Sequence, residues 1–401
     1  MSIAPAPASL GPQLAAQLGR AGGALRRLFD EIRVPFFVWA WSRLLTLLAV
    51  AMVGWVERPR GSGDLVAALV TPLRSWDGFW YLSIAQYGYD PTIAHGNSPA
   101  FFPLYPMIVS AAQQVLPLSY AVVGVLVSNL LFLPGLIVLH RLTRERFGEV
   151  IARRAITYLA ISPLSFVFSM VYTESLALLL ICTTFLLLER RRVWGASLVG
   201  MLASLARPVG VLLAPAIAWQ VFENAGRRVS FRLLWQLLPV LLPPLAVVGF
   251  QAYLWWRTGS TSATHSAEER GWSRGADPLY LLMVPVAVVH AIWIAFFDNH
   301  DLGLAISAVA VCAYFWLIAA LVRTRRAPLS YCIFALGCVV LPAYTGTWLG
   351  FPRFGLVIFP LFWMLALWGE NERFDNAVRM LFPALMVGFA FVSFGVGTFT
   401  P

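Results

Sequence analysis

The sequence predicts an all-α protein whose helices cross a membrane many times, and three observations support this fold class. Hydrophobic residues make up 59% of the 401 residues and charged residues only 12%, whereas soluble domains carry about a quarter charged residues. The mean hydropathy is +0.75. Finally, apolar runs with few or no charges recur along the chain, and about 20 such residues are needed to span a bilayer as a helix.

The apolar runs predict about eleven crossings. Six runs are long enough to span: 34–55, 119–139, 234–255, 302–322, 327–346 and 380–400. Five shorter runs are interrupted by proline or glycine: 155–171, 173–188, 194–206, 209–221 and 354–369. Together they form one predicted transmembrane domain over 34–400, preceded by an amino-terminal segment over 1–33.

Arginine clusters predict the orientation, because short cytoplasmic loops of membrane proteins are rich in basic residues. The clusters are Arg20/26/27/33, Arg141/144/146/153/154, Arg190–192, Arg227/228/232, Arg323/325/326 and Arg373/379. Placing them all in the cytoplasm puts segment 1–33 inside and the carboxyl end outside. Two long loops, near 56–118 and 257–300, then lie outside. Within the second loop, 278–297 fits as a helix on the outer leaflet.

Neither the positive net charge nor the four cysteines requires a nucleic-acid partner or a metal site. A net charge of +10 and a pI near 9.9 could indicate nucleic-acid binding, but basic loops that orient a membrane protein explain them better. The four cysteines lie inside apolar runs and lack metal-binding spacing. We therefore predict neither metal nor cofactor. The amino terminus lacks the pattern of a cleaved signal peptide, so the run beginning at Val34 is predicted to remain as a membrane anchor.

The densest group of chemically active residues lies in the first outer loop. Asp77 stands between Trp76 and Trp80, with Tyr81 next. An aromatic belt at the membrane surface explains the aromatic residues, but it does not explain the carboxylate. Partial removal from water makes a carboxylate a better proton acceptor, so Asp77 is a candidate general base. Both interpretations stand on these residues alone.

Glu174 is predicted at the outer apex between two short crossings. A carboxylate inside the bilayer costs a few kcal/mol, roughly 2.5–3.5 on insertion scales, so it should lie in a cavity or near the interface. The alternative is a helix start, with Thr173 as the cap and Glu174 facing the positive helix end.

Two arginines, Arg207 and Arg353, lie at outer apices, away from the cytoplasmic clusters. The planar guanidinium suits binding of phosphate, although each residue could also be an interfacial arginine that extends toward water. His265 in the second outer loop has no second ligand at metal-binding spacing. Arg43, inside the first crossing, is an intramembrane charge that needs a partner.

These residues converge on one side of the membrane. Asp77, Glu174, Arg207, His265 and Arg353 are far apart in sequence, yet an orientation set by other residues places them all outside. A carboxylate with arginines at the outer leaflet suits a reaction on an anionic lipid headgroup.

Four motifs resemble those of the PIG-V type mannosyltransferases and their bacterial relatives, and they occur in the family's order. They are Trp-Asp-x-x-Trp-Tyr-Leu-x-Ile-Ala-x-x-Gly-Tyr (76–89) with Phe-Phe-Pro-Leu-Tyr-Pro (101–106), Ser-Pro (162–163) with Tyr-x-Glu-Ser-Leu (172–176), Leu-Ala-Arg-Pro-x-Gly (205–210), and Pro-Arg-Phe (352–354) with Phe-Pro-Leu-Phe (359–362). Two departures stand out. Pro208 follows Arg207 where the family has Ser-Asn, and Phe354 replaces a tyrosine beside Arg353.

The resemblance implies a GT-C membrane glycosyltransferase that takes sugar, most often mannose, from a polyprenyl-phosphate donor on the outer side by an inverting, metal-independent reaction. Asp77 would be the base, and Arg207 and Arg353 would bind the donor phosphate. The predicted substrate-binding or supporting residues are Trp76, Trp80, Tyr81, Tyr105, Glu174, His265 and Trp272.

The residue usage of the chain, with arginine as its sole basic residue besides histidine and much alanine, leucine and valine, suggests a high-GC bacterium. The predicted location is therefore its inner membrane, with a membrane-associated lipoglycan, glycolipid or glycoprotein as acceptor. The alternative function is a transporter that flips lipid-linked sugars. A flippase should have polar residues along a mid-membrane path, whereas these candidates gather at one face.

Overall fold

A computed structural model describes residues 11–57, 65–90, 92, 96–275, 279–294, 297, 302–345 and 350–396. Within these ranges the structure is helical and contains no strand, which confirms the predicted all-α class. Parts of the two predicted outer loops, including 58–64 and 276–278, lie outside the described residues, as does the end of the run predicted at 380–400.

The helices follow one another with short connections. In the first half they are α1 (Gly11–Glu57), α2 (Leu65–Leu73), α3 (Asp77–Tyr87), α4 (Leu104–Val115), α5 (Tyr120–Phe147), α6 (Glu149–Ala160), α7 (Glu174–Glu189), α8 (Val193–Ala206) and α9 (Leu213–Asn224). In the second half they are α10 (Phe231–Leu237), α11 (Leu242–Thr258), α12 (Ala263–Trp272), α13 (Leu279–Trp293), α14 (Leu302–Thr324), α15 (Leu329–Tyr344), α16 (Phe351–Phe354), α17 (Phe359–Trp368) and α18 (Glu372–Phe391). The 3₁₀ turns are Ser98–Ala100, Ser165–Ser169, Pro208–Leu212, Leu238–Leu241 and Gly355–Val357, and a π-helical turn spans Val392–Val396.

Several helices have the length and composition to cross a bilayer, as an integral membrane protein requires. Five such stretches are Phe29–Val56, Tyr120–Phe147, Phe231–Thr258, Gly303–Thr324 and Glu372–Gly395. The pair Phe351–Val357 and Phe359–Trp368 is bent by 80° and would make a sixth if it is one span. Val193–Ala206, Leu282–Trp293 and Leu329–Tyr344 are shorter apolar helices. By length and composition, the described helices give five crossings, or six with the bent pair, and the placement of 278–297 on the outer leaflet stays a prediction.

Two boundaries differ from the hydropathy pattern. Helix α1 continues through residues 33 and 34, so the predicted boundary marks where apolar sequence begins and not a break in the backbone. The apolar run at 155–171 is not one helix, because α6 ends at Ala160 and a 3₁₀ turn begins at Ser165. Pro163 explains the break, since proline cannot donate a helical hydrogen bond and disfavours helix in the residue before it.

Buried side chains form two clusters. The larger one joins α5, α6, α7 and α17, with Phe132 stacked on Phe168 at 4.2 Å between ring centres. The smaller one is rich in aromatic residues and includes Tyr81, Phe101 and Tyr105 from α3, α4 and their connection. The smaller cluster supports the segment that carries Asp77.

Arg43 is buried in α1 and finds only neutral partners among the described residues. Its guanidinium donates to the Ser169 hydroxyl at 2.7 Å and to the Ser165 carbonyl at 3.1 Å, and it lies 4.6 Å from the centre of the Phe132 ring. The 3₁₀ turn Ser165–Ser169 therefore supplies the partners that the intramembrane charge of Arg43 needs. Because this turn leads directly to Glu174, Arg43 anchors the approach to the site.

Candidate active site

A cavity of about 350 Å³ lies where α3, α12, α16 and the carboxyl ends of α8 and α15 meet. Residues that line it include Asp77, Tyr81, Phe101, Phe102, Arg207, Pro208, Thr264, His265, Glu268, Trp272, Arg274, Leu341, Tyr344, Arg353 and Phe354. Six of the ten predicted site residues are thus brought to one cavity. The other four, Trp76, Trp80, Tyr105 and Glu174, are not among the residues that line it.

Asp77 is the first residue of α3 and is only 8% exposed. Its backbone N–H donates to the Tyr172 hydroxyl at 3.2 Å. The preceding Trp76 has φ 58° and ψ −123°, a conformation that residues with a side chain rarely adopt. Such strain persists only where the surroundings enforce it, and it is concentrated at functional sites. This turn immediately precedes Asp77, which lines the cavity.

Four buried charges form a chain of alternating sign. Arg353 Nη2 donates to Asp77 Oδ2, and Arg353 Nε lies 3.5 Å from Glu174 Oε1. Arg207 Nη1 pairs with the same Glu174 oxygen. All four side chains are buried, where an unpaired charge is very costly. The chain Asp77–Arg353–Glu174–Arg207 is electrically neutral as a whole, which is how the fold tolerates it.

Arg353 retains unused donor capacity. Its Nε makes only the 3.5 Å ionic contact, and Nη1 has no hydrogen-bond acceptor in the part of the chain that the structure describes. Its guanidinium also lies 5.0 Å from the centre of the Tyr172 ring. Buried donors are nearly always satisfied, so unsatisfied ones on a residue that lines the cavity indicate a partner for an anionic group.

The turn that follows α8 explains the Leu-Ala-Arg-Pro-x-Gly motif. Arg207 is extended (φ −152°), and Pro208 begins the 3₁₀ turn. A Cβ atom on Gly210 would collide with backbone atoms of Ala203 and Ser204. Glycine therefore lets the turn fold back against α8, and this holds Arg207 at the cavity.

Aromatic residues form the wall next to Asp77. Trp80 stacks on Phe101 with 5.8 Å between ring centres, and Trp272 contacts the edges of both rings. Burial raises the pKa of Tyr81, so its hydroxyl stays protonated 3.5 Å from the Thr173 hydroxyl. Tyr105 bonds the Gly124 carbonyl at 3.0 Å, which is a supporting contact.

Two charged lining residues, Glu268 and Arg274, are not among the predicted site residues. Arg274 Nη1 pairs with Glu268 Oε2 at 2.9 Å, and its guanidinium lies 6.0 Å from the Phe354 ring centre. Both stand in the same charged stretch as His265 and Trp272. The density of charge in an otherwise apolar chain was the available signal.

The sequence of the chain matches that of a known family over more than half its length. Residues 57–293 match the family described as Mannosyltransferase (PIG-V). The chain belongs to this family. Membership confirms the resemblance that the motifs carry. It also confirms the implied class, that of the membrane glycosyltransferases. Arg353 lies beyond the matched range, so its place beside Asp77 comes from the tertiary structure. No curated protein matches the chain significantly in sequence.

In structure, the chain is similar to solved structures of the oligosaccharyltransferase of Archaeoglobus fulgidus. The structure with zinc and sulfate has a TM-score of 0.42 and 14% identity, covering 90% of this chain and 52% of that one. The structure with an inhibitory peptide and a dolichol-phosphate has a TM-score of 0.41 and 16% identity, covering 90% and 56%. This chain therefore spans about half the length of those proteins.

Proposed function

We propose that this protein is an inverting mannosyltransferase that moves the sugar from a polyprenyl-phosphate donor to an acceptor at the membrane. The acceptor is a lipid, glycan or protein on the extracytoplasmic side of a bacterial inner membrane. The observation that carries the proposal is the buried Asp77 carboxylate on a cavity wall that also presents Arg353 and Arg207. Residues 34–400 would form the catalytic domain, with 1–33 in the cytoplasm.

The chemistry requires one base and a stabilised leaving group. Asp77 accepts the proton of the acceptor hydroxyl, whose oxygen attacks the anomeric carbon of the donor sugar. The bond from that carbon to the phosphate oxygen breaks, and polyprenyl phosphate leaves with the electron pair. Attack opposite the leaving group inverts the anomeric configuration. Arg353 and Arg207 stabilise the negative charge that grows on the phosphate.

Arg353 connects the two ends of this reaction, because it already bonds Asp77 and its Nη1 has no acceptor among the described residues. A phosphate that takes up this donor draws the guanidinium toward itself. Asp77 then loses part of its pairing, and its Oδ2 is free to accept the proton of the acceptor hydroxyl. Binding of the donor would thus prepare the carboxylate for the acceptor.

The cavity suits a sugar with its phosphate and not a whole isoprenoid. Its volume of about 350 Å³ lies within the usual range for small-ligand sites. The isoprenoid chain would lie along apolar helix surfaces in the bilayer. The 16-residue helix α7 is about 24 Å long and separates Glu174 from the arginines at 190–192. If those arginines lie in the cytoplasm, this distance supports the proposal that the site faces the other side of the membrane.

The test supplies the purified protein with polyprenyl-phosphate-mannose and membrane glycolipid acceptors. Asp77→Asn keeps the side-chain shape but removes the base, so transfer should fall about 10²–10⁴-fold. Asp90→Asn is the matched control, because this carboxylate accepts from the Thr92 N–H at 2.9 Å and does not line the cavity. Equal rates for Asp77→Asn and wild type would refute the base. Lipid scrambling in vesicles without any transfer would favour the flippase.

A further inference from the structure

A second cavity, of about 420 Å³, lies at the opposite ends of helices that reach the first cavity. Arg191, Trp194, Asn224, Arg232, Trp235 and Gln236 contribute to its lining. Helix α8 connects the two cavities, since Trp194 is in its first turn and Arg207 follows its last residue. With 14 residues, α8 is about 20 Å long. The second cavity therefore faces the other surface of the membrane.

The charge of this cavity is positive and uncompensated. Among the described residues, no carboxylate lies within salt-bridge distance of Arg191 or Arg232, and no acidic residue lines the cavity. Their neighbours differ in this respect. Arg190 pairs with Glu145 and Arg227 with Glu223, each at 2.9 Å. Two unpaired guanidinium groups on one cavity form a site for a phosphate, which they can grip with paired hydrogen bonds.

The remaining lining indicates a lipid and not a soluble anion. Trp194 and Trp235 are 59% and 63% exposed, and tryptophan in this position is typical of the level of the lipid headgroups. Val193, Val221 and Pro239 supply apolar surface between them. A soluble phosphate gains nothing from that surface, whereas a phospholipid covers it with its glycerol and upper acyl chains.

We propose that this cavity binds the phosphate of an anionic phospholipid in the leaflet opposite the active site. Arg191 and Arg232 bind the phosphate, while the Asn224 and Gln236 side-chain amides offer partners for hydroxyl groups of the headgroup. Basic pockets between helices on the cytoplasmic side of membrane proteins are suited to such lipids. The site is independent of the proposed reaction, because it requires neither donor nor acceptor.

The test measures retention of phosphatidylglycerol and phosphatidylcholine on the full chain by native mass spectrometry. Arg191→Gln with Arg232→Gln should weaken phosphatidylglycerol binding about tenfold or more and leave phosphatidylcholine unchanged. Arg192→Gln with Arg228→Gln is the matched control, since it removes two charges from the same loops but from residues that do not line the cavity. The control should retain wild-type binding. Equal loss in both pairs, or no preference in wild type, would overturn the proposal.

Two further measurements separate the remaining explanations. Phosphatidylglycerol should stay bound when glycerol phosphate or inorganic phosphate is added at the concentration at which phosphatidylglycerol itself saturates the site. Displacement by either anion would identify a site for a soluble anion. Photoactivatable phosphatidylglycerol on the wild-type protein should label peptides containing 191–194 and 232–239. Labelling spread evenly over all basic loops would contradict a defined site, and this result does not depend on how any variant folds.

Discussion

The two ends of α7 carry ion pairs of opposite character. At the amino end, Glu174 is buried and shared by Arg207 and Arg353. At the carboxyl end, Arg190 is exposed and bonds Glu145 at 2.9 Å, and Glu145 also accepts from Arg141 at 3.1 Å. Both ends thus hold one carboxylate between two arginines. The number of ionic contacts is the same at both ends, but only the amino end is shielded from water. The two ends therefore show how burial changes the contribution of such contacts to stability.

Glu174→Gln should have the largest effect on stability. It leaves two buried guanidinium groups with only Asp77 to balance them, and removing one partner of a buried pair costs about 3–5 kcal/mol. The measurement is the free energy of unfolding in detergent micelles. Adding Arg207→Met should recover part of the loss, since it restores neutrality. A double variant that is no more stable than Glu174→Gln alone would contradict the charge-balance explanation.

Arg353→Lys tests whether geometry matters at the buried end as well as charge. An ammonium group cannot reach both Asp77 and Glu174 as the planar guanidinium does. Transfer should fall about 10²-fold, the usual loss for one donor that stabilises a developing negative charge, with kcat affected more than KM. Arg326→Lys, whose exposed side chain lies 4.0 Å from Glu370, should leave transfer unchanged. A fall confined to KM would assign Arg353 to ground-state binding alone.

Gly210→Ala extends the comparison from charge to packing. The new methyl group would meet the α8 backbone at Ala203, which cannot move aside without shifting Arg207. Overpacking of this kind costs about 1–3 kcal/mol. Gly249→Ala in α11, where nothing lies within 4 Å of the added methyl group, should instead stabilise by about 0.5–1 kcal/mol. Unfolding midpoints for the two variants measure the difference in sign.

Glu145→Gln should have the smallest effect, although it removes contacts to two arginines, as Glu174→Gln does. Exposed pairs contribute about 0–1 kcal/mol, because water and salt screen them. The free energy of unfolding should change by about 1 kcal/mol or less, and the change should shrink further at high salt. A loss equal to that of Glu174→Gln would show that burial does not distinguish the two ends.

The sequence was sufficient for the parts of the site that depend on local pattern. Hydropathy predicted the helical membrane fold, and the orientation set by the arginine clusters placed Asp77, Glu174, Arg207 and Arg353 on one side of it. The structure brings these four side chains into one chain of contacts. Their assigned roles, like those of His265 and Trp272, stay predictions until transfer is measured.

By itself, then, the sequence determined the class of fold, the family and the residues that gather at one end of the bundle. These follow from composition, periodicity and motifs, which act over a few residues at a time. Only the tertiary structure decided which charges pair. Asp77 and Arg353 are 276 positions apart, and Arg43 donates to Ser169 and Ser165, partners that no sequence pattern predicted. Helix packing sets such contacts, because it determines which charged side chains are buried side by side. Side chains that are buried together must then supply one another's ionic and hydrogen-bond partners.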